Sequence, residues 1–141
     1  MKKTMQKLKD KKGFTLVEVI VVLVILAILA AIAIPALTGY ISKAQEKTAT
    51  AEARTAFVAV QTLASDQFAE HPTATKLLND NGTEMAVGDV AVAVEGLSGQ
   101  NIAFTAVPVI SSGKVNSFTI TASGGYSVAY AGGKYTVTKI S

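Results

Sequence analysis

The feature that most constrains this chain is a run of sixteen residues, 19–34, that contains no polar side chain. The wider segment 14–37 has 24 residues and is interrupted only by Thr15, Glu18 and Pro35. A bilayer needs about 20 consecutive apolar residues in a helix, so this segment is long enough to span one. Because hydrocarbon offers the backbone no hydrogen-bond partners, we expect the segment to be helical.

An order-of-magnitude energy estimate also favours insertion of this segment. Twelve of the sixteen residues are Val, Ile or Leu, and at about −0.3 to −0.6 kcal/mol each they contribute roughly −4 to −7 kcal/mol. A central carboxylate costs about 2.5–3.5 kcal/mol on the same scale, and the off-centre Glu18 should cost less. We therefore expect the chain to enter the membrane.

Charge predicts the orientation of this segment. Residues 1–13 contain six lysines and one aspartate, so they carry five net positive charges, whereas the whole chain carries only +3. Positively charged flanks stay in the cytoplasm, which places the leader inside and the remainder outside. Since the basicity lies in the leader and the remainder is slightly acidic, we predict no specific nucleic-acid partner.

Three hypotheses explain the N-terminal pattern. The segment is a signal anchor that stays in the membrane, or a secretory signal peptide, or the signal of a polymerising subunit. Ala31-Ile32-Ala33 fits a secretory cleavage site that would release a soluble binding domain beginning at Ile34. However, the apolar region exceeds the usual 7–15 residues of such signals, and an internal Glu18 is unusual in one.

The boundary Lys12-Gly13-Phe14-Thr15-Leu16-Val17-Glu18 resembles the class III signal of type IV prepilins, and the segment after it resembles a pilin N-terminal helix. The resemblance implies that a prepilin peptidase cuts between Gly13 and Phe14 and methylates the new amine of Phe14. It implies a leader at 1–13, a transmembrane and filament-core helix at 14–41, and a globular head at 42–141. It also implies that the helix loosens around Pro35 in a filament.

Glu18 is an ionisable side chain inside the apolar segment, which by default indicates a function. Cleavage after Gly13 would create a positive amine four residues upstream, on the same helix face. Glu18 would then neutralise its own N-terminus or that of a neighbouring subunit, and the resemblance favours the neighbour, as a device for assembly. The alternative is a carboxylate that only reaches the cytoplasmic headgroups.

The rest of the chain predicts an α+β fold. From residue 38 to about 70 the pattern is helical, with a predicted apolar stripe of Ala53, Phe57, Val60, Ala64 and Phe68. A short helix is predicted at 75–79. After it, alternation with period two predicts an antiparallel sheet of about four strands packed on the stripe. The predicted strand positions are Val90/Val92/Val94, Ile102/Phe104, 115–122, Tyr126/Val128/Tyr130 and Tyr135/Val137. Gly132-Gly133 predicts a hairpin, and Pro108 a strand end.

We find no pattern that predicts catalysis, a cofactor or a metal site. There is no cysteine, and the single histidine, His71, precedes a proline. Asp80, Glu84 and Asp89 are a weak candidate for calcium, with solvated turn residues as the default interpretation. The prediction is a non-enzymatic filament subunit whose precursor lies in the cytoplasmic membrane and which is extracellular after assembly. The alternatives within the class are a secretion pseudopilin or a competence pilin.

The predicted partners follow from the resemblance. They are further copies of the chain, the prepilin peptidase, an assembly platform with minor pilins, and the lipid bilayer before assembly.

Overall fold

The structure is a computed structural model that describes residue 13 and residues 15–140. The fold is α+β, with a long N-terminal helix packed on an antiparallel sheet, as the sequence predicts. The elements are α1 (Leu16–Phe68), α2 (Val87–Ser98), β1 (Ala103–Phe104), β2 (Val109–Ser111), β3 (Lys114–Ala122), β4 (Tyr126–Ala131) and β5 (Lys134–Lys139). The chain divides into two compact units, Met1–Ile41 and Ser42–Ser141.

The first unit, in its described part, is the N-terminal portion of α1. Within the described residues, α1 is the one helix long and apolar enough to cross a membrane, and none of its most apolar window is buried in the chain. The helix is assigned without a break through Pro35, and the hydroxyl of Thr38 donates to the Pro35 carbonyl at 2.9 Å. The predicted loosening at Pro35 stays a prediction.

The second unit contains a five-stranded antiparallel sheet in the order β1-β3-β4-β5, with β2 also paired to β3. In register, Ile120 lies opposite Val128, and Val128 lies opposite Val137. Gly132 and Gly133 join β4 to β5 with φ of 56° and 87°, values that suit glycine in a two-residue hairpin loop. The predicted hairpin and the strands from Ile102 onward are confirmed, since β1 to β5 all lie in this part of the chain.

Small side chains let α1 approach the sheet closely. The buried residues of α1 are Ala49, Ala53, Ala56, Ala59, Val60 and Ala64. Ile120 and Val128 face them as fully buried sheet residues in the same core. The predicted apolar stripe is confirmed at Ala53, Val60 and Ala64. Phe57 is only half-buried, and Phe68 at the helix end is exposed, so the fully buried part of the stripe ends at Ala64.

The helix predicted at 75–79 is absent; this segment is extended. The side chain of Gln67 donates to the carbonyl of Lys76 at 3.0 Å and accepts from the N–H of Leu78 at 2.9 Å. Lys76 also bridges to Val109 as an isolated β-bridge. These long-range bonds satisfy the backbone in an extended form and place Leu77 in the core, fully buried.

The strand predicted at Val90, Val92 and Val94 is also wrong, because these residues lie in α2. Val90 and Val94 are fully buried, whereas Val92 is 69% exposed. That burial has the i, i+4 spacing of a helix. The N–H of Gly99, at a φ of 69°, donates to the carbonyl of Glu95 and closes the helix.

Candidate processing and assembly site

The N-terminus of α1 is closed by a reciprocal pair of hydrogen bonds between Thr15 and Glu18. The backbone N–H of Thr15 donates to Glu18 Oε2 at 3.0 Å. The backbone N–H of Glu18 donates to Thr15 Oγ1 at 3.3 Å. This is a capping box, in which the residue before the helix and the third helical residue each satisfy the backbone of the other. It fixes both the start of the helix and the position of the carboxylate.

The Glu18 carboxylate lies in the first turn of α1. The first turn of a helix carries unpaired N–H groups and the positive end of the helix dipole, both of which favour a negative charge. Among the described residues, the carboxylate makes one hydrogen bond, to Thr15. A carboxylate has further acceptor sites beyond this one bond, and in the first turn of a helix it suits a positively charged partner.

The structure places the predicted cleavage site directly before this cap. Gly13 is exposed and lies outside regular structure, and a side chain added there would meet nothing within 4 Å. Phe14 and the rest of the predicted leader lie outside the described residues. The Glu18 carboxylate thus accepts a hydrogen bond from Thr15. Thr15 directly follows Phe14, the residue that is predicted to carry the new amine.

Beyond the cap, α1 presents apolar side chains to its surroundings. Val19, Val22 and Leu23 lie with Glu18 along a shallow apolar groove of about 170 Å³. Leu23 is 59% exposed. A contiguous exposed apolar surface of this kind marks a membrane-contacting or protein-contacting segment. The Glu18 carboxylate and this apolar surface thus lie on one short stretch of helix.

The other candidate residues do not assemble into a site. Helix α1 runs unbroken through the alternative cleavage position at Ala33. Glu84 pairs with Lys76, with Nζ and Oε2 2.9 Å apart, and Asp89 lies in α2. Within residues 13 and 15–140, no three potential metal-ligating side chains come together.

Comparison with known proteins identifies the N-terminal segment. The family model for the prokaryotic N-terminal methylation motif matches residues 8–34. This chain carries the N-terminal methylation motif of type IV prepilins. No curated protein and no solved structure matches the chain. The match covers the boundary at Gly13, the capping box and the apolar run 19–34.

The motif supports a type IV pilin-like or pseudopilin precursor. With the exposed apolar helix, it indicates a membrane-anchored precursor. The motif implies processing by prepilin peptidase and assembly into filaments.

Sequence reasoning missed the capping box. It treated Glu18 only as an ionisable residue in an apolar segment. The pattern Thr15-Leu16-Val17-Glu18 has the spacing of a capping box, and the apolar run after it marks a helix start. That signal predicts both the first helical residue and the orientation of the carboxylate toward the N-terminus.

Proposed function

We propose that this protein is the structural subunit of a type IV pilus or a closely related filament, and that its action is polymerisation through α1. The observation that carries the proposal is the capped, exposed apolar helix within the methylation motif. The exposed apolar residues of α1 suit either lipid or copies of the same helix. One surface therefore serves for storage in the membrane and for packing in a filament core.

Removal of the leader changes the electrostatics of the helix start. Residues 1–13 carry six lysines, which hold the precursor at the cytoplasmic face. Cleavage between Gly13 and Phe14 would remove these charges and leave a single amine, which stays cationic when methylated. A chain without the lysine-rich leader is easier to extract from the bilayer. Removal of the leader is therefore required before the subunit can assemble.

Glu18 then selects the position of the incoming subunit. In hydrocarbon, an unpaired carboxylate is costly, and an opposite charge within reach lowers that cost. The amine of a neighbouring subunit supplies such a charge. Since the Glu18 carboxylate is held by Thr15 toward the helix start, it offers the partner a fixed position. Pairing of this kind sets the axial register between subunits.

The test separates the charge of Glu18 from its capping bond. In Glu18→Gln the side-chain oxygen still caps Thr15, because glutamine also serves in a capping box, but the negative charge is lost. In Glu18→Ala both are lost. We expect each variant to be processed by the peptidase and to reach the membrane, and we expect neither to form filaments visible by electron microscopy of sheared material. Normal filaments from Glu18→Gln would show that the charge is not used in assembly.

A further inference from the structure

The charges of the head are divided between its two sides. Residues 70–101 contain five carboxylates and one lysine, whereas residues 114–141 contain three lysines and no carboxylate. Helix α2, from the acidic segment, packs beside β1, which is one edge of the sheet. The other edge is β5, which begins with Lys134 and ends with Lys139. The fold thus places Asp89 and Glu95 of α2 beside one edge of the sheet and Lys134 and Lys139 of β5 at the other.

The outer face of α2 combines one exposed apolar side chain with two carboxylates. Val92 is 69% exposed, and Asp89 and Glu95 lie three residues either side of it. Asp89 and Glu95 are also exposed. The one salt bridge among the described residues involves neither of them. The core covers only the face of α2 that carries Val90 and Val94, so Val92 and the two carboxylates are accessible to another molecule.

Two glycines in α2 are not required by the head itself. Gly88 and Gly96 lie inside the helix, four residues either side of Val92, so the three share a face. A side chain added at either glycine would meet nothing within 4 Å, and neither has a positive φ. Each costs about 1 kcal/mol of helix stability relative to alanine. A glycine at these positions leaves the helix backbone accessible to close approach by another molecule.

The opposite edge of the head offers a surface of complementary charge. A groove of about 310 Å³ lies between α1 and β5, lined by Glu46, Lys47, Thr50, Ala51, Arg54 and Val137. The Arg54 guanidinium lies 6.0 Å from the centre of the Tyr135 ring, a cation–π distance. The groove therefore combines the apolar Val137 with two cations, Lys47 and Arg54, and one carboxylate, Glu46, so that positive charge is in excess.

We propose that the outer face of α2 in one copy docks into the α1–β5 groove of the next copy. The proposal rests on the proposed function, since a filament brings copies of the head together. Val92 enters beside the partner's Val137, and Asp89 and Glu95 meet the partner's Lys47 and Arg54. Because the two surfaces differ, the contact is heterologous and leads to an open chain of copies rather than a closed dimer. Complementary charge sets the register of such a contact.

Disulfide trapping tests this contact, and the chain suits it because it contains no cysteine. The variant Val92→Cys/Val137→Cys carries one thiol on each surface. Its matched control is Val92→Cys/Thr136→Cys, in which the second thiol is on the same strand but on the other face of the sheet. Filaments sheared from cells are oxidised mildly, denatured and separated on a non-reducing gel. We expect a ladder of covalent multimers from the first variant, at least tenfold stronger than from the control.

Three results would overturn the proposal. The filaments of the first variant give no ladder, the control gives an equal ladder, or the single variant Val92→Cys gives a covalent dimer by itself. Charge reversal gives a second measurement that needs no thiol. Asp89→Lys/Glu95→Lys should lower the filament yield at least tenfold, and adding Lys47→Glu/Arg54→Glu should restore it. Failure of this restoration would also contradict the contact. Absence of filaments from the unmodified chain in electron micrographs would instead refute the proposed function.

Discussion

Replacement of Gln61 by methionine should destabilise the head strongly, although Gln61 belongs neither to the apolar run 19–34 of α1 nor to the processing site. Its amide nitrogen donates to the carbonyl of Gly113 at 2.7 Å, and its amide oxygen accepts from the N–H of Val115 at 3.1 Å. Both bonds are partly buried. They attach α1 to the turn between β2 and β3, which lies more than fifty residues further along the chain. Methionine has a similar shape but offers neither group.

The magnitude follows from the two backbone groups left without partners. A buried polar group that loses its partner costs about 1–3 kcal/mol. Because these two are only partly buried, we take about 1 kcal/mol each, or about 2 kcal/mol in total. For a domain of this size, 1 kcal/mol shifts the melting temperature by about 4–8 °C, so the expected loss is about 8–16 °C. Methionine and glutamine have similar helix propensities, so α1 itself should be unaffected.

The assay is thermal unfolding of the full chain in detergent micelles, followed by near-ultraviolet circular dichroism. The tyrosine signal comes largely from the head, where Tyr130 packs against Phe57 and Tyr135. The matched control is Gln45→Met, the same change on an exposed part of α1. A Gln61→Met melting temperature within about 2 °C of the Gln45→Met value would refute the reasoning, because it would mean that the two bonds contribute nothing net.

Two further predictions concern the packing of α1 on the sheet and the response of the head to alkali. Ala56→Leu should destabilise the head by about 1–3 kcal/mol, because Ala56 is fully buried and leucine would overpack the contact with the sheet; Ala44→Leu on the exposed helix face should have little effect in the same thermal assay. Burial, and then the charge of nearby Tyr130, raise the pKa of Tyr135 above 10.0, with Arg54 acting in the opposite sense. The folded head therefore retains the phenol proton more tightly than the unfolded chain does, so stability should fall as the pH rises above 10.0. In Tyr135→Phe this part of the alkaline loss should vanish; an unchanged pH dependence in urea unfolding would contradict it.

Much of this fold is local in the sequence. The apolar run defines most of the first half of α1, and the glycine pair at 132–133 with its flanking alternation defines the last hairpin. Apolar residues at 3–4 spacing predicted the buried face of α1 at Ala53, Val60 and Ala64. In each of these regions the side-chain pattern, the backbone preference and the final environment agree, so the sequence was sufficient.

The two errors arose where the deciding contact is distant. The segment Val90–Val94 alternates valine with alanine, which suits a strand by its period, yet Val90 and Val94 also share a helix face. Packing decides for the helix, because Val90 and Val94 are buried in the core and Val92 is exposed. The segment around Leu77 has residues that suit a helix, but the side chain of Gln67 holds its backbone in an extended form. Local propensity contained no sign of that bond.

At the candidate site, the residues could be predicted from the sequence, but their geometry could not. Gly13, Glu18 and Pro35 stand out by type and spacing, and the methylation motif covers Gly13 and Glu18. The bond from Thr15 to the Glu18 carboxylate shows, in addition, that the charge is oriented toward the helix start before any partner arrives. The docking surfaces on α2 and β5 could not be predicted, because α2 was itself predicted as a strand.

The most direct test of the central claim is the mass of the N-terminal peptide of protein sheared from the cell surface. The account predicts a peptide that begins at Phe14 and carries a methyl group on its amine. A peptide that begins at Ile34 would identify a secreted domain released after Ala33. An intact leader, recovered only from membranes, would identify a simple anchor. Either of the last two results would contradict the proposal that this chain is a processed filament subunit.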